Sequence, residues 1–416
     1  MQYPSTFRVQ QHFERPVLDD VEIAVADQLR PLATSGKLHA GQSVAVTVGS
    51  RGIANIAPIT RQAIASLKEM GAEPFIVPAM GSHGGGTAEG QRRIVESYGI
   101  TEEYCGCPIR SSMETVVVCS AAEGFDVHFD KLAFEADHVL VCNRIKPHSR
   151  FAGEIESGLM KMLLIGLGKH AGATIYHSAI MDLAFGQIIR SVAGEVLANC
   201  NILGGLAIVE NAFDETASVE FVAPSDFQKR EKELLQLARQ WMPKLPFSQM
   251  DVLLMDEIGK EISGTGFDTN VAGRKEEDDG WPHPEVRCMM VRRLSKATHG
   301  NACGIGMIDI VTRRVMDQID LETTWINCLT GGHITAGRLP MHRDTDQATL
   351  DTALSQIGMT DPADAKLLWI KNTKKITEVE CSAPFFEEAQ AREDLEILTD
   401  LRPISFDDQG NLVEQF

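Results

Sequence analysis

The hexapeptide GSHGGG (81–86) sets one imidazole, His83, among glycines. Neighbours without side chains leave that ring little cover and let a ligand come close to the backbone; the plainer alternative is a structural histidine, which normally has packing neighbours. A second imidazole lies in NRIKPHSR (143–150), where Arg144, Lys146 and Arg150 surround His148. Nearby cations favour the neutral ring, which can accept a proton near pH 7, against the alternative of a solvated basic loop. ESGLMKMLLIGLGK (156–169) then places Lys161 in an apolar run. Its amine either snorkels out of a buried helix or is desolvated and acts as a nucleophile toward a carbonyl-type group. Lys169 and His170, beside glycine, read as the end of a helix, where cations suit the dipole. His177, in TIYHSAI, reads by itself as a core histidine and gains interest from its company. GSRGIAN (49–55) adds Ser50 and Arg51 on a glycine turn opening a helix; its amides and forked guanidinium suit an anion, or form an ordinary surface turn.

Several chemistries are disfavoured. GSHGGG lacks the G-K-[ST] of a P-loop and is not the G-x-G-x-x-G dinucleotide fingerprint. Cys105 and Cys107 form the closest cysteine pair, but no second pair completes a tetrahedral metal site, so the nine cysteines read as reduced thiols. A formal net charge of −19 with pI ≈ 5.1 argues against nucleic acid or a membrane surface as a partner. It leaves room for a small anion, which needs only local donors. The start lacks a signal-peptide pattern and no long apolar run occurs, so a cytoplasmic location is expected.

The elements around these residues alternate. SVAVTV (43–48), PFIVPAM (74–80), HVLVCN (138–143) and LGGLAIVE (203–210) read as strands, with helices near 57–71, from Thr87, and over about 226–242. Strand, glycine loop and helix in repetition predict a mainly parallel α/β layer, in which ligands bind beyond the carboxyl ends of the strands. WMPKLPFSQ (241–249) reads as a linker, after which DVLLMDEIG, RCMMVRR, GIGMIDIV and AKLLWIK resume the strand pattern. The expectation is two α/β domains with mainly parallel sheets and an active site in the cleft between them. Residues 1–246 would hold the catalytic site and 247–416 would close over the substrate.

Taken together, the motifs resemble the nickel-pincer-nucleotide lactate racemase family. The residues are Gly81-Ser82-His83, Pro147-His148, Ala152-Gly153, Ser157-Gly158, Lys161, Gly166 and His177. The resemblance is firmest over 45–180 and looser over 10–340; the interval from His148 to Lys161 is about three residues longer here. It implies that Lys161 is covalently bound to a pyridinium bis-thiocarboxylate mononucleotide carrying nickel, with His177 as the protein ligand to the metal. It implies His83 and His148 as an acid–base pair for a 2-hydroxy acid, and Gly81, Ser82, Gly84, Ser50 and Gly158 as backbone around the nucleotide. Arg51, Arg144 and Lys146 would bind the substrate carboxylate, with Arg274 or Lys275 from GTGFDTNVAGRK (264–275) standing in for the family's second-domain lysine.

The family's Asp-x-Thr-Arg is here Val48-Gly49-Ser50-Arg51, and this departure, with the number of cations, points to a substrate larger or more polar than lactate, such as a sugar acid or hydroxy-diacid. The activity implied is racemisation or epimerisation at C2, with cofactor-synthesis proteins as further partners and a homo-oligomer allowed. Two other readings stay open: a pyridine-nucleotide 2-hydroxy acid dehydrogenase, and a non-catalytic binding protein for an anionic ligand or nickel cofactor.

Overall fold

In a computed structural model of the chain, residues 1–50 and 52–413 are described. They divide into two compact units, Glu14–Met242, and Met1–Phe13 joined with the chain from Pro243 onward. The sequence groups 1–246 together, so residues 1–13 and 243–246 are the difference. Strand β1 (Ser5–Gln11) pairs antiparallel with β14 (Glu378–Ser382) and β15 (Leu395–Ile397), and Phe7 and Val9 are fully buried there. Local sequence carries no signal for partners so far along the chain.

The first unit is built on β2 (Ser43–Val48), β3 (Glu73–Pro78), β6 (His138–Arg144), β7 (Ile202–Glu210) and β8 (Thr216–Val222), in the order β3-β2-β6-β7-β8. All neighbours are parallel except β7 and β8. A separate hairpin joins β4 (Thr115–Ser120) to β5 (Asp126–Asp130). Side chains alternate between two buried faces, as the strand period requires. Phe75, Val77, Val139, Val141, Ala207 and Val209 pack on one face with the helices Phe185–Asn199 and Phe227–Trp241. Ile76, Leu140, Cys142, Leu206 and Ile208 pack on the other, with Val21–Leu29 and Ile56–Glu69.

The second unit has a nine-stranded mixed sheet. β9 (Gln249–Ile258) lies parallel between β10 (Glu285–Leu294) and β13 (Leu367–Ile370); β11 (Ile310–Thr312) and β12 (Met341–Arg343) extend the parallel run. β14, β1, β15 and β16 (Arg402–Pro403) add the antiparallel part. Both units are thus α/β with mostly parallel strands, as the sequence predicts. Among the described residues no helix is long and apolar enough to cross a membrane.

Candidate functional site

Three parallel strands of the first unit end close together. β2 runs into Gly49 and Ser50, β3 into Ala79–Gly86, and β6 into the loop containing His148. Across these ends passes the segment from Gly158 to Gly168, a helical turn Leu159–Lys161 followed by a π-turn Met162–Gly166. The sequence suggests one buried helix here. The wider turn is closed by Leu167 N–H donating to Met162 O at 2.9 Å, an arrangement that often accompanies functional sites.

Glycines permit the close approach. A Cβ on Gly49 would stand 3.1 Å from Met162 Cε, and one on Gly166 2.8 Å from Ala79 O. Gly81, with φ +59, lies against Ile165 and donates its N–H to Gly166 O at 3.3 Å. Asn143 Nδ2, at the end of β6, donates to Gly158 O at 2.9 Å.

Lys161 is half-buried, with its Nζ 5.9 Å from the ring centres of both Phe151 and Phe185. Those rings stack at 4.4 Å, and His148 stacks on Phe151 at 4.7 Å, so His148, Phe151 and Phe185 form one pile beside the amine. His177, on the helix Lys169–Ala179, is close enough to feel Lys161 and Arg150. Burial, reinforced by these two cations, pushes its imidazole down to about 4. It is therefore neutral near pH 7 and has a nitrogen lone pair for a metal.

The other two histidines are set in opposite ring states. His83 is exposed, and its Nδ1 faces Met80 O at 2.8 Å. A carbonyl only accepts, so the neutral ring has its proton on Nδ1 and its lone pair on Nε2. In His148, Nδ1 accepts the N–H groups of Arg150 at 3.1 Å and Phe151 at 3.2 Å, which leaves the proton of the neutral ring on Nε2.

Buried carboxylates hold these segments. Glu156 accepts the His148 amide at 2.7 Å and pairs with Arg239 at 2.6 Å, both acid and base being almost wholly buried. Glu231 accepts the Met160 amide at 2.9 Å. Its Oε1 is buried without a hydrogen bond, and burial pushes its carboxyl up to about 7 despite amide donation. A Cβ on Gly158 would stand 2.5 Å from that oxygen, which explains the glycine. The sequence reading missed Glu156, Glu231, Asn143 and the two phenylalanines. The buried carboxylates had one weak signal: acidic residues interrupting otherwise apolar stretches.

The remaining expected residues divide. Ser50 follows β2, and its carbonyl accepts the Tyr98 hydroxyl at 2.6 Å. Arg51 lies outside the described residues. Ser82 O and Gly84 belong to the tight turn that carries His83: Gly86 N–H donates to Ser82 O at 3.0 Å, and Gly84 has φ +66. Lys146 is half-buried, its amide donating to Ser157 O at 3.3 Å. Arg144 is in an ion pair with Glu210, which also accepts the Ala54 amide. Arg274, in the second unit, is held in a two-pronged pair with Asp309, at 2.5 and 3.2 Å. Two of the three guanidiniums expected to bind substrate, Arg144 and Arg274, thus have carboxylate partners within the fold. Lys169 is a further correction: it opens a helix instead of closing one, and is completely buried.

Residues 19–185 match the family model described as the lactate racemase N-terminal domain. The match covers less than half of the chain and shows a likeness in that segment. The matched segment contains His83, His148, Lys161 and His177 together with the glycine turns around them. The chain is also similar to the structure of the lactate racemase apoprotein from Thermoanaerobacterium thermosaccharolyticum, with a TM-score of 0.48 and 13% identity over 94% of this chain and 96% of that one. No curated protein matches it. Within the matched segment, His83 and His148 follow β3 and β6, Lys161 ends the helical turn Leu159–Lys161, and His177 lies on the helix Lys169–Ala179.

Proposed function

We propose that the chain is a racemase or epimerase that inverts C2 of a 2-hydroxy carboxylate, using a nickel-pincer nucleotide tethered to Lys161. The observation that carries this reading is the grouping of a half-buried amine, a neutral imidazole and the stacked His148 ring at the ends of parallel strands.

The residues present fit the group. A half-buried amine 5.9 Å from two aromatic ring centres suits attachment to an acyl carbon. Lys169, fully buried and ion-paired, does not. His177 offers one neutral nitrogen. Among the described residues no three His, Cys, Asp or Glu side chains gather as a metal site, so nickel here would depend on donors that the nucleotide brings beside His177.

When bound, the nucleotide supplies an electron-poor ring able to take hydride from C2. The work of the chain is with protons and position. His83, with its lone pair on Nε2, takes the hydroxyl proton of one enantiomer; His148, with its proton on Nε2, gives one to the oxygen of the other. Each serves in the opposite sense in the reverse direction, as suits groups with ordinary values near 6.5. The substrate carboxylate is assigned to Arg51 and Lys146. The expectation of a substrate larger than lactate rested partly on surplus cations; Glu210 and Asp309 neutralise two of them, so lactate competes on equal terms with aldonates and hydroxy-diacids. The reading sets the chain in the cytoplasm, with cofactor-synthesis proteins among its partners.

The test incubates nickel-loaded protein with lactate, malate, phenyllactate and aldonates in deuterium oxide, followed by chiral chromatography. Inversion with C2 hydrogen retained is expected. Solvent deuterium at C2 would refute the hydride route. Intact-mass measurement should show an adduct on the wild type that Lys161→Ala lacks; an adduct that persists in that variant would remove Lys161 from its role.

A further inference from the structure

Lys169 stands in an electrostatically poor place. It opens the helix Lys169–Ala179, where the dipole disfavours a cation. Its φ of +53 lies in the left-handed region, which a side chain with a Cβ adopts at some expense. Its ammonium is fully buried, and burial pushes it below its ordinary value while Asp130 opposes that shift. Departures of this kind persist when the surroundings require them.

The contacts show what it joins. Nζ is 2.9 Å from Asp130 Oδ2, donates to Pro78 O at 2.6 Å and to Gln91 Oε1 at 3.2 Å. An ammonium donates and has no lone pair, so with protons given to Pro78 O and Gln91 Oε1 and Asp130 balancing its charge, Gln91 must present its oxygen to it. The amide nitrogen of Gln91 is thereby turned toward the loop after β3, where it donates to Gly81 O at 2.8 Å and His83 O at 3.3 Å. Reversing the amide would set NH₂ against ammonium and oxygen against two carbonyls. The Met80 carbonyl that orients the His83 ring lies within the same short stretch, between Pro78 and Gly81. Eight residues further along Lys169's own helix is His177.

We propose that Lys169 is a positioning residue: through Gln91 it fixes the amide frame that sets the His83 ring, and by its own place in the chain it ties that frame to the helix carrying His177. The inference rests on reading His83 as a site residue, and its test separates the two claims. Asp130→Leu combined with Lys169→Met removes both charges and avoids an orphaned ion, a replacement that buried pairs often tolerate. Gln91→Met breaks only the link to the loop. In the full chain without nucleotide, labelled with ¹⁵N-histidine, His83 of the wild type should give the two-nitrogen signature of the Nδ1–H form. Both variants should drift toward a mixture of tautomers, with His148 unchanged. In the nucleotide-loaded enzyme, kcat should fall at least tenfold with KM within about threefold.

Unchanged His83 signals in variants that fold would overturn the proposal. Failure of both variants to fold would make the residues purely structural and overturn it as well. If the tautomer moves as expected but His83→Ala keeps turnover within tenfold, the positioning stands and the catalytic reading of His83 falls.

Discussion

His83 and His148 turn opposite faces of the same ring chemistry to their own backbones. The first directs Nδ1 at the Met80 carbonyl, 2.8 Å away, and the second directs Nδ1 at the amides of Arg150 and Phe151. Two neutral histidines would therefore have their protons on different nitrogens without any substrate present. Long-range ¹H–¹⁵N spectra above the titration range should show one Nδ1–H and one Nε2–H ring at these positions. Like tautomers at both would remove the built-in division between proton acceptor and proton donor.

His177 should be a source of acid sensitivity. Burial first, then Lys161 and Arg150, lowers its folded value to about 4 from 6.5. The unfolded chain binds the proton more readily, so this residue's contribution is complete above about 6.5 and is lost as pH falls toward 4. His177→Gln should flatten that part of the stability curve, measured as urea midpoints at pH 7 and 4.5. The same variant should lose nickel when nucleotide is supplied, whereas His83→Ala and His148→Ala should keep it. An unaltered acid slope would contradict the burial of this ring.

Glu231 titrates with the opposite sign. Its folded value, raised to about 7 by burial, exceeds the ordinary 4.5. Its stabilising contribution is therefore full below about 4.5 and lost as pH rises through 7. Glu231→Gln should be more stable than wild type at pH 8, with little difference at pH 4.5. Gly158→Ala, whose new methyl would press on Glu231 Oε1, should destabilise at both pH values.

The Arg239–Glu156 pair should be strongly asymmetric under mutation. Arg239→Ala leaves a buried carboxylate without its cation, at about 3–5 kcal/mol. Glu156 also accepts the His148 amide and, at 3.3 Å, that of Gly153, so turnover should fall with stability. Urea unfolding of Arg239→Ala and Arg239→Met would measure the first effect. A loss below 1 kcal/mol would mean that water reaches Glu156.

The parts of the fold readable in sequence were those with local grammar. β2, β3, β6 and β7 announce themselves as short apolar runs ending in glycine or polar turns, and the helices between them imply parallel neighbours, whereas their order β3-β2-β6-β7 comes from the structure. His83, Lys161 and His177 were visible because small or apolar neighbours isolate them. What stayed hidden depends on distant partners. Arg144 looks like a substrate cation until Glu210, on the neighbouring strand, neutralises it. Lys169 looks like a helix end until Asp130 and Gln91 are brought to it from other elements. The stack of His148, Phe151 and Phe185 joins residues that no short-range periodicity relates.

The seating of Ser5–Gln11 between β14 and β15 has a consequence for biosynthesis. Gln10 faces Glu378 in the finished sheet, so this strand waits for a partner made about 370 residues later. At roughly 5–20 residues per second, that wait is on the order of 20–70 s. The unit ending at Met242 is complete on the ribosome well before then, while Phe7 and Val9 remain uncovered in front of it. A nascent chain of this protein therefore carries an unpaired apolar strand for the length of that wait. Chaperone occupancy should concentrate there, and not at the unit that contains the histidines.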